Sequence, residues 1–411
     1  MQFLNDYGID ARTSLDVHFP SALPKCGAVD MSTNILRIVK LQGPKFGTPL
    51  GLGLTVVPQP IPPTRKRKAP ASGFVQQPLK LNKFGTIRRY TATHMAASAL
   101  SNRGCRDFPN VIFFSTAYSE EMTKQGQDKG RWINPLLAET IMGFPRNWTS
   151  SVMAPTAPHV VDDEGEAFKT VSMFTGVGGI ELGLGRGFHT IVMVEKDLAC
   201  IKVLTKLQRL GHLPSCQLVA DVADVSEEHM RDAEALVAGF PCPDICISGP
   251  RSGFNGSRSS LFKFVVKASA MGPKLKILLL ENVHHLMSKE MRPVLAEILK
   301  WLVRLQFTNI KYLTIAAENL GYPHARHRWF CLATRDGIDT ARLGRLLPAM
   351  NSTEIEGLAS RPWNGENNDV VPLREWLLPD LDPTERERLK QLGNAVVPGC
   401  AKVAASYLAH D

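Results

Sequence analysis

The feature that most constrains this chain is a corner. The apolar run Val171-Ser172-Met173 leads through Phe174-Thr175 into Gly176-Val177-Gly178-Gly179, and a helical pattern follows at once. Glycines at a strand-to-helix corner let the backbone turn tightly and let a ligand approach it closely. Downstream the texture keeps alternating. Strand-like runs at 190–194, 218–220, 237–240 and 277–280 are separated by helical patterns at 198–210, 227–236 and 261–271. An amphipathic helix over 293–305 follows, with Val294, Ile298, Leu299, Leu302 and Leu305 on one face, and strands at 310–315 and 329–333 close the series. Such alternation predicts an α/β fold: a doubly wound, mostly parallel, Rossmann-like sheet with helices on both faces.

Sheets of this kind bind ligands at the carboxyl ends of their strands. Three successive strand ends carry suitable groups. The first bears Phe174 and the glycines Gly176, Gly178 and Gly179. The second ends on Glu195, where such folds present a carboxylate to ribose hydroxyls, and the third on Asp221, placed for an adenine amino group. A single Gly-x-Gly-Gly would be explained by a tight structural turn. Three consecutive ends with these residues point to a nucleoside cofactor. No Gly-Lys-Ser/Thr follows the glycines, which disfavours a nucleotide triphosphatase.

The fourth strand end carries Gly239-Phe240-Pro241-Cys242. Together with Phe174–Gly179, Arg258-Ser259-Ser260-Leu261-Phe262, Glu281-Asn282-Val283, Arg326-His327-Arg328 and Gly393-Asn394-Ala395-Val396-Val397-Pro398, it makes the sequence resemble the DNA cytosine-5 methyltransferase family. The resemblance implies S-adenosylmethionine as cofactor, with Pro241 and Asn394 joining the strand-end residues around it. It implies catalytic roles for Cys242, Glu281, Arg326 and Arg328. Carbon 5 of cytosine is too weak a nucleophile to take a methyl group directly, and a thiolate adding at carbon 6 activates it. By resemblance Cys242 is that thiolate, Glu281 stabilises the addition near ring nitrogen 3, and the two arginines hold the base and support both groups. These atoms are inaccessible in duplex DNA, so the target cytosine must be flipped out. Read singly, Cys242 is a small buried thiol, Glu281 a strand-end cap and the arginines edge charges. All four fall at one end of one predicted sheet, which favours the site. The sequence departs from the family pattern at Pro243 and His324, where Gln is usual, and at Cys246, where Ser is frequent; none of these removes a group the chemistry needs.

The order of the pieces is unusual. Asn134-Pro135 and Glu139-Thr140-Ile141-Met142-Gly143-Phe144-Pro145-Arg146-Asn147-Trp148-Thr149 resemble a segment that family members, notably those of bacteriophages, carry shortly before the Gly-Asn-Ala-Val element. Here it precedes the cofactor corner. The stretch from Arg328 to Gly393 is short for a whole recognition lobe, so the lobe is expected upstream. Three zones result: an irregular region 1–165, read as the DNA-recognition lobe with a Pro-rich basic linker; a catalytic domain 166–335; and a region 336–411 that is expected to complete the cofactor pocket.

Composition enters as support. With 44% hydrophobic and 21% charged residues the chain reads as globular, and a formal net charge of +9 suits a polyanionic partner. The run Arg65-Lys66-Arg67-Lys68 reads as a nuclear address or DNA-contacting arm, with a solvated linker as the alternative; the expected location is the nucleus in a eukaryote and otherwise the cytoplasm. Neither a secretory leader nor an apolar run of about 20 residues is seen, so secretion and a membrane span are not expected. The eight cysteines show no metal-ligand spacing, so no metal site is expected and reduced thiols are. Two other functions stay open here: cytosine-5 methylation of transfer RNA, and a catalytically weak DNA-binding regulator that keeps the fold.

Overall fold

The structure is a computed structural model that describes residues 15–32, 35–44, 132–155, 165–241, 261–322, 324, 326–360, 377–378 and 381–410. The chain begins with strands β1 (Asp16–His18), β2 (Cys26–Asp30), β3 (Ile35–Lys40) and β4 (Trp132–Ile133), then helix α1 (Pro135–Ile141). The alternating region follows as β5 (Phe168–Met173), α2 (Gly179–Leu184), β6 (Phe188–Val194), α3 (Leu198–Arg209), β7 (Gln217–Val219), α4 (Glu227–Met230), β8 (Ala235–Ala238), α5 (Phe262–Met271) and β9 (Ile277–Val283). It continues with α6 (Arg292–Arg304), β10 (Phe307–Ala316) and β11 (His327–Arg335). The C-terminal part adds α7 (Thr340–Leu346), α8 (Ser352–Ser360), β12 (Leu377–Leu378), α9 (Pro383–Asn394) and α10 (Pro398–His410).

One mixed sheet organises these elements, in the order β1-β3-β2-β10-β11-β9-β8-β5-β6-β7. Strands β7, β6, β5, β8 and β9 are mutually parallel, and β11 enters antiparallel between β9 and β10. Alternation along the strands divides the core into two layers. Val237, Leu279 and Phe330 face α2, α3 and α10, while Leu236, Leu278 and Trp329 face α5 and α6. Apolar residues on both faces are what the continuous hydrophobic runs in β8 and β9 require. This is the doubly wound α/β fold expected from the alternation.

Two local readings are corrected. The helical pattern over 227–236 ends at Met230, and Ala235–Ala238 is a central strand, buried throughout. The main-chain N–H of Glu234 already bonds the Lys169 carbonyl in β5, so sheet pairing overrides the helical periodicity. Residues 16–40, expected to be irregular, form three strands that extend the sheet beyond β10. Small residues conceal β2, and close packing requires them: at Gly27 a β-carbon would come within 2.8 Å of both the Tyr312 hydroxyl and the Val39 carbonyl oxygen.

The main chain approaches closely between α2 and the junction of α9 and α10. A β-carbon on Gly179 would overlap the Val396 carbonyl oxygen, and one on Gly183 would overlap that of Pro398 and sit 3.0 Å from the Ala401 β-carbon. In an ordinary helix Gly→Ala stabilises by about 1 kcal/mol. Overpacking reverses the sign here. Gly183→Ala should lower the unfolding free energy by about 1–3 kcal/mol in urea denaturation; a more stable variant would show that the packing is not the constraint.

Candidate functional site

The parallel strands bring their carboxyl ends to one edge, where the glycine turn, Glu195, Asp221 and Glu281 stand and where the start of the antiparallel β11 brings Arg328 against Glu281. After β5 the backbone enters the left-handed region at Phe174 (φ 59), Gly176 (φ 61) and Gly178 (φ 81). The conformation costs a residue with a β-carbon about 1 kcal/mol, so Phe174 holds it only because its surroundings impose it. The Thr175 N–H bonds the Val194 carbonyl at 3.1 Å, which ties the turn to the end of β6. Glu195 then accepts the Gly176 N–H at 2.7 Å on one carboxylate oxygen and the Asp197 N–H at 2.7 Å on the other. Each oxygen keeps acceptor capacity, so this carboxylate shapes the turn and still has room for a ligand hydroxyl. The side of Gly176 where a β-carbon would stand is open.

Asp221 follows β7. Its carboxylate accepts the Ala223 N–H at 2.9 Å and pairs with Lys196 at 3.1 Å, and these two bonds hold its pKa below the ordinary carboxylate value. Beneath the turn, Glu181 is buried and accepts from the Ser172 hydroxyl; burial raises its carboxyl to about 7.

The chemical end is built by β8, β9 and β11. Gly239 leads to Phe240 and Pro241, the latter exposed at the rim; Cys242, Pro243 and Cys246 lie outside the described residues. Glu281 is 6% exposed and pairs with the Arg328 Nε at 3.0 Å. A β-carbon at Gly239 would stand 3.4 Å from a Glu281 carboxylate oxygen, so the glycine leaves this carboxylate its space beside Pro241. Burial pushes the Glu281 pKa up, and Arg328 and then Arg326 oppose it. Arg326, 2% exposed, donates to the Ala395 carbonyl at 2.7 Å. That bond brings β11 against the Gly-Asn-Ala-Val element, where Asn394 is exposed at the end of α9.

Sequence reasoning missed three supporting residues. Asn282 is buried and donates to the Phe240 carbonyl at 3.1 Å, which fixes the approach to Cys242. A polar residue inside the apolar run of β9 was the signal, since buried amides need partners. Lys206 lies on the apolar face of α3 among Val203, Leu204 and Leu207, an anomaly of the same kind. His324, noted as a departure, donates from Nε2 to the Ile141 carbonyl at 3.2 Å. Burial and then Arg326 push its pKa down to about 3, so the ring is neutral and works as a structural donor.

A doubly wound sheet with a glycine turn, two strand-end carboxylates and a buried Glu–Arg pair near Gly239 has the form of a domain able to hold a nucleoside cofactor. Residues 168–361 match the family model described as C-5 cytosine-specific DNA methylase. It is 31% identical over 170 residues to type II methyltransferase M2.BsuMI of Bacillus subtilis (strain 168), covering 40% of this chain and 42% of that protein. It is 31% identical over 199 residues to type II methyltransferase M.CviJI of Paramecium bursaria Chlorella virus IL3A, covering 48% and 50%. Among solved structures, a putative DNA modification methyltransferase encoded within an E. coli prophage aligns with 24% identity and a TM-score of 0.33, covering 41% of this chain and 47% of that one. The chain spans about half the length of these curated relatives.

The Glu281–Arg328 pair gives a test with a definite sign. The folded pKa of Glu281 lies above its ordinary value, so its ionisation costs stability as pH rises through the interval between them. Arg328→Met removes the opposing cation and extends that interval upward. The variant should lose about 3 kcal/mol near neutrality and recover part of it on acidification, measured by urea denaturation over a pH series.

Proposed function

We propose that this chain transfers a methyl group from S-adenosylmethionine to carbon 5 of a flipped cytosine in DNA, with Cys242 as nucleophile. The observation that carries the reading is the buried Glu281–Arg328 pair, set beside Gly239 at the head of Pro241-Cys242 and at the strand edge that carries the cofactor residues. When bound, S-adenosylmethionine supplies the methyl group. Glu195 would hold its ribose hydroxyls and Asp221 its adenine amino group. Phe174, Gly176, Gly178 and Gly179 would give it a close-fitting turn, and Pro241 and Asn394 would complete the pocket. The open side of Gly176 and the acceptors at successive strand ends fit that group.

In the reaction the Cys242 thiolate adds to carbon 6 of the ring, and the electron pair displaced from the 5,6 double bond is drawn toward nitrogen 3. A carboxyl whose burial favours its protonated form suits a donor to that nitrogen, which is the role assigned to Glu281. Arg328 holds the Glu281 side chain, and Arg326 holds the Ala395 backbone beside the base. After transfer the carbon 5 proton leaves and Cys242 is eliminated. DNA is the partner favoured by the family and by the net charge of +9. Target reading is assigned to the region before residue 165, of which 45–131 lie outside the described residues, as does the basic run Arg65–Lys68 taken as a nuclear address in a eukaryotic host. Among the described residues no helix is long and apolar enough to cross a membrane, and no cluster of metal-ligating side chains occurs.

Duplex DNA containing 5-fluorocytosine tests the reading, because that base has no removable proton at carbon 5. With tritiated cofactor the wild type should be trapped as a labelled covalent adduct, and Cys242→Ala should yield none. Wild type that binds cofactor and DNA but never traps would overturn the DNA reading, and transfer RNA carrying the same analogue would then identify an RNA substrate.

A further inference from the structure

Lys206 is a lysine in the wrong place for a surface helix. It is 3% exposed, and its ammonium meets four main-chain carbonyls: Asn147 at 3.0 Å, Trp148 at 3.0 Å, Ser150 at 2.6 Å and Met153 at 3.3 Å. An ammonium has three protons, so the four oxygens share them and no direction is left for water. A buried, uncompensated ammonium would cost several kcal/mol. Here four carbonyl dipoles converge on it, and the buried Glu139 carboxylate also favours the charge while Arg388 opposes it. The 147–153 turn contains a left-handed Asn147 (φ 63); its N–H groups bond inward, Ser150 to the Asn147 carbonyl at 3.2 Å and Asn147 and Thr149 to the Glu139 carboxylate at 2.8 Å each, and Lys206 gathers its outward carbonyls.

The other side of the turn faces the cofactor corner. Trp148 is fully buried, and its indole Nε1–H donates to the Val177 carbonyl at 2.7 Å. Val177 lies between the two left-handed glycines Gly176 and Gly178. Lys206 and the corner are therefore joined through a single turn of backbone and one indole ring.

We propose that Lys206 is a positioning residue for cofactor binding: by gathering the 147–153 carbonyls it fixes Trp148, and Trp148 fixes the glycine corner through Val177. The inference rests on the cofactor reading under Proposed function and adds a residue to which the family resemblance gives no role.

The pH response separates this role from a merely structural one. Burial lowers the Lys206 pKa to about 8, with Glu139 opposing. As pH rises through that value the ammonium loses a proton and releases carbonyls, so cofactor affinity should fall. The contribution of Lys206 to global stability runs the other way. Between the folded value and the ordinary value of 10.5 the unfolded chain holds the extra proton, so stability rises with pH.

Calorimetric titration of the full chain with S-adenosylhomocysteine, alongside urea denaturation, reads both. Lys206→Met should bind roughly 10-fold more weakly at neutral pH, and Lys206→Arg within about 3-fold of wild type. Trp148→Phe, which loses the indole donor, should weaken binding about as much as Lys206→Met, and the double variant should be little worse than either single one. Wild-type affinity should fall above about pH 8, while that of Lys206→Met stays flat. Unchanged affinity in Lys206→Met, or strict additivity with Trp148→Phe, overturns the proposal. Should Lys206→Met fail to fold, a Trp148→Phe affinity equal to wild type overturns it alone. Wild type that binds no S-adenosylhomocysteine overturns the cofactor reading itself, a result distinct from variants that bind as well as wild type.

Discussion

Everything at the strand edge depends on how closely the 395–398 backbone lies against α2. Gly179 and Gly183 have no β-carbons, so the Val396 and Pro398 carbonyls settle where side chains would otherwise stand. This short stretch has two further neighbours. Arg326 donates to the Ala395 carbonyl, and α10, which begins at Pro398, covers the sheet over Leu279 and Phe330. One junction thus touches the cofactor corner, the arginine strand and the core. The distance between the proposed methyl donor and the proposed base pocket is set by main-chain packing, which is stiff, and not by long side chains, which are not.

The same stiffness appears around the proposed catalytic pair. Glu281 and Arg328 are both buried, on neighbouring strands whose register is fixed by β9–β11 pairing. Asn282, one residue on, points to the opposite face and holds the Phe240 carbonyl. Successive residues of one strand therefore serve two purposes: the first faces the proposed reaction and the second fixes the loop entrance that leads to Cys242. A pleated strand does this without additional structure, because its side chains alternate.

The catalytic half was legible in the sequence because its signals are local. Strand runs, the glycine corner and the acids at strand ends are each read from a few consecutive residues, and the pairing of Glu281 with Arg328 follows once β9 and β11 are neighbours. What was not legible depends on contacts distant in sequence. Strand β2 is short and built mainly of small residues, and it is a strand because β10 offers it an edge; β3, although its Ile-Leu-Arg-Ile-Val run fits a strand, finds its place in the sheet only through β2. Helix 227–236 failed for the same reason: the four residues 235–238 fit either periodicity, and the slot between β5 and β9 decided. Lys206 was passed over and His324 stood only as a departure from the family pattern because their partners, the carbonyls of 141 and 147–153, sit in a segment the sequence places before the corner and not beside it.

That segment explains how an unusual chain order yields an ordinary site. Residues 132–153 are held by partners scattered over the chain: β12 pairs with β4, Val177 takes the Trp148 indole, Lys206 takes the turn carbonyls and His324 takes the end of α1. Arg388 on α9 pairs with Glu139 at 2.9 Å, and Glu139 also accepts the N–H groups of Asn147 and Thr149. None of these contacts requires the segment to be covalently next to α9. The entropy of closing a loop grows only logarithmically with its length, about 0.6 kcal/mol per doubling, so moving the segment upstream costs little. A buried carboxylate left without its guanidinium would cost several times more. The specificity of docking therefore lies in Glu139, Trp148 and the groups that meet them, and the order of the chain is free to change as long as those groups are kept.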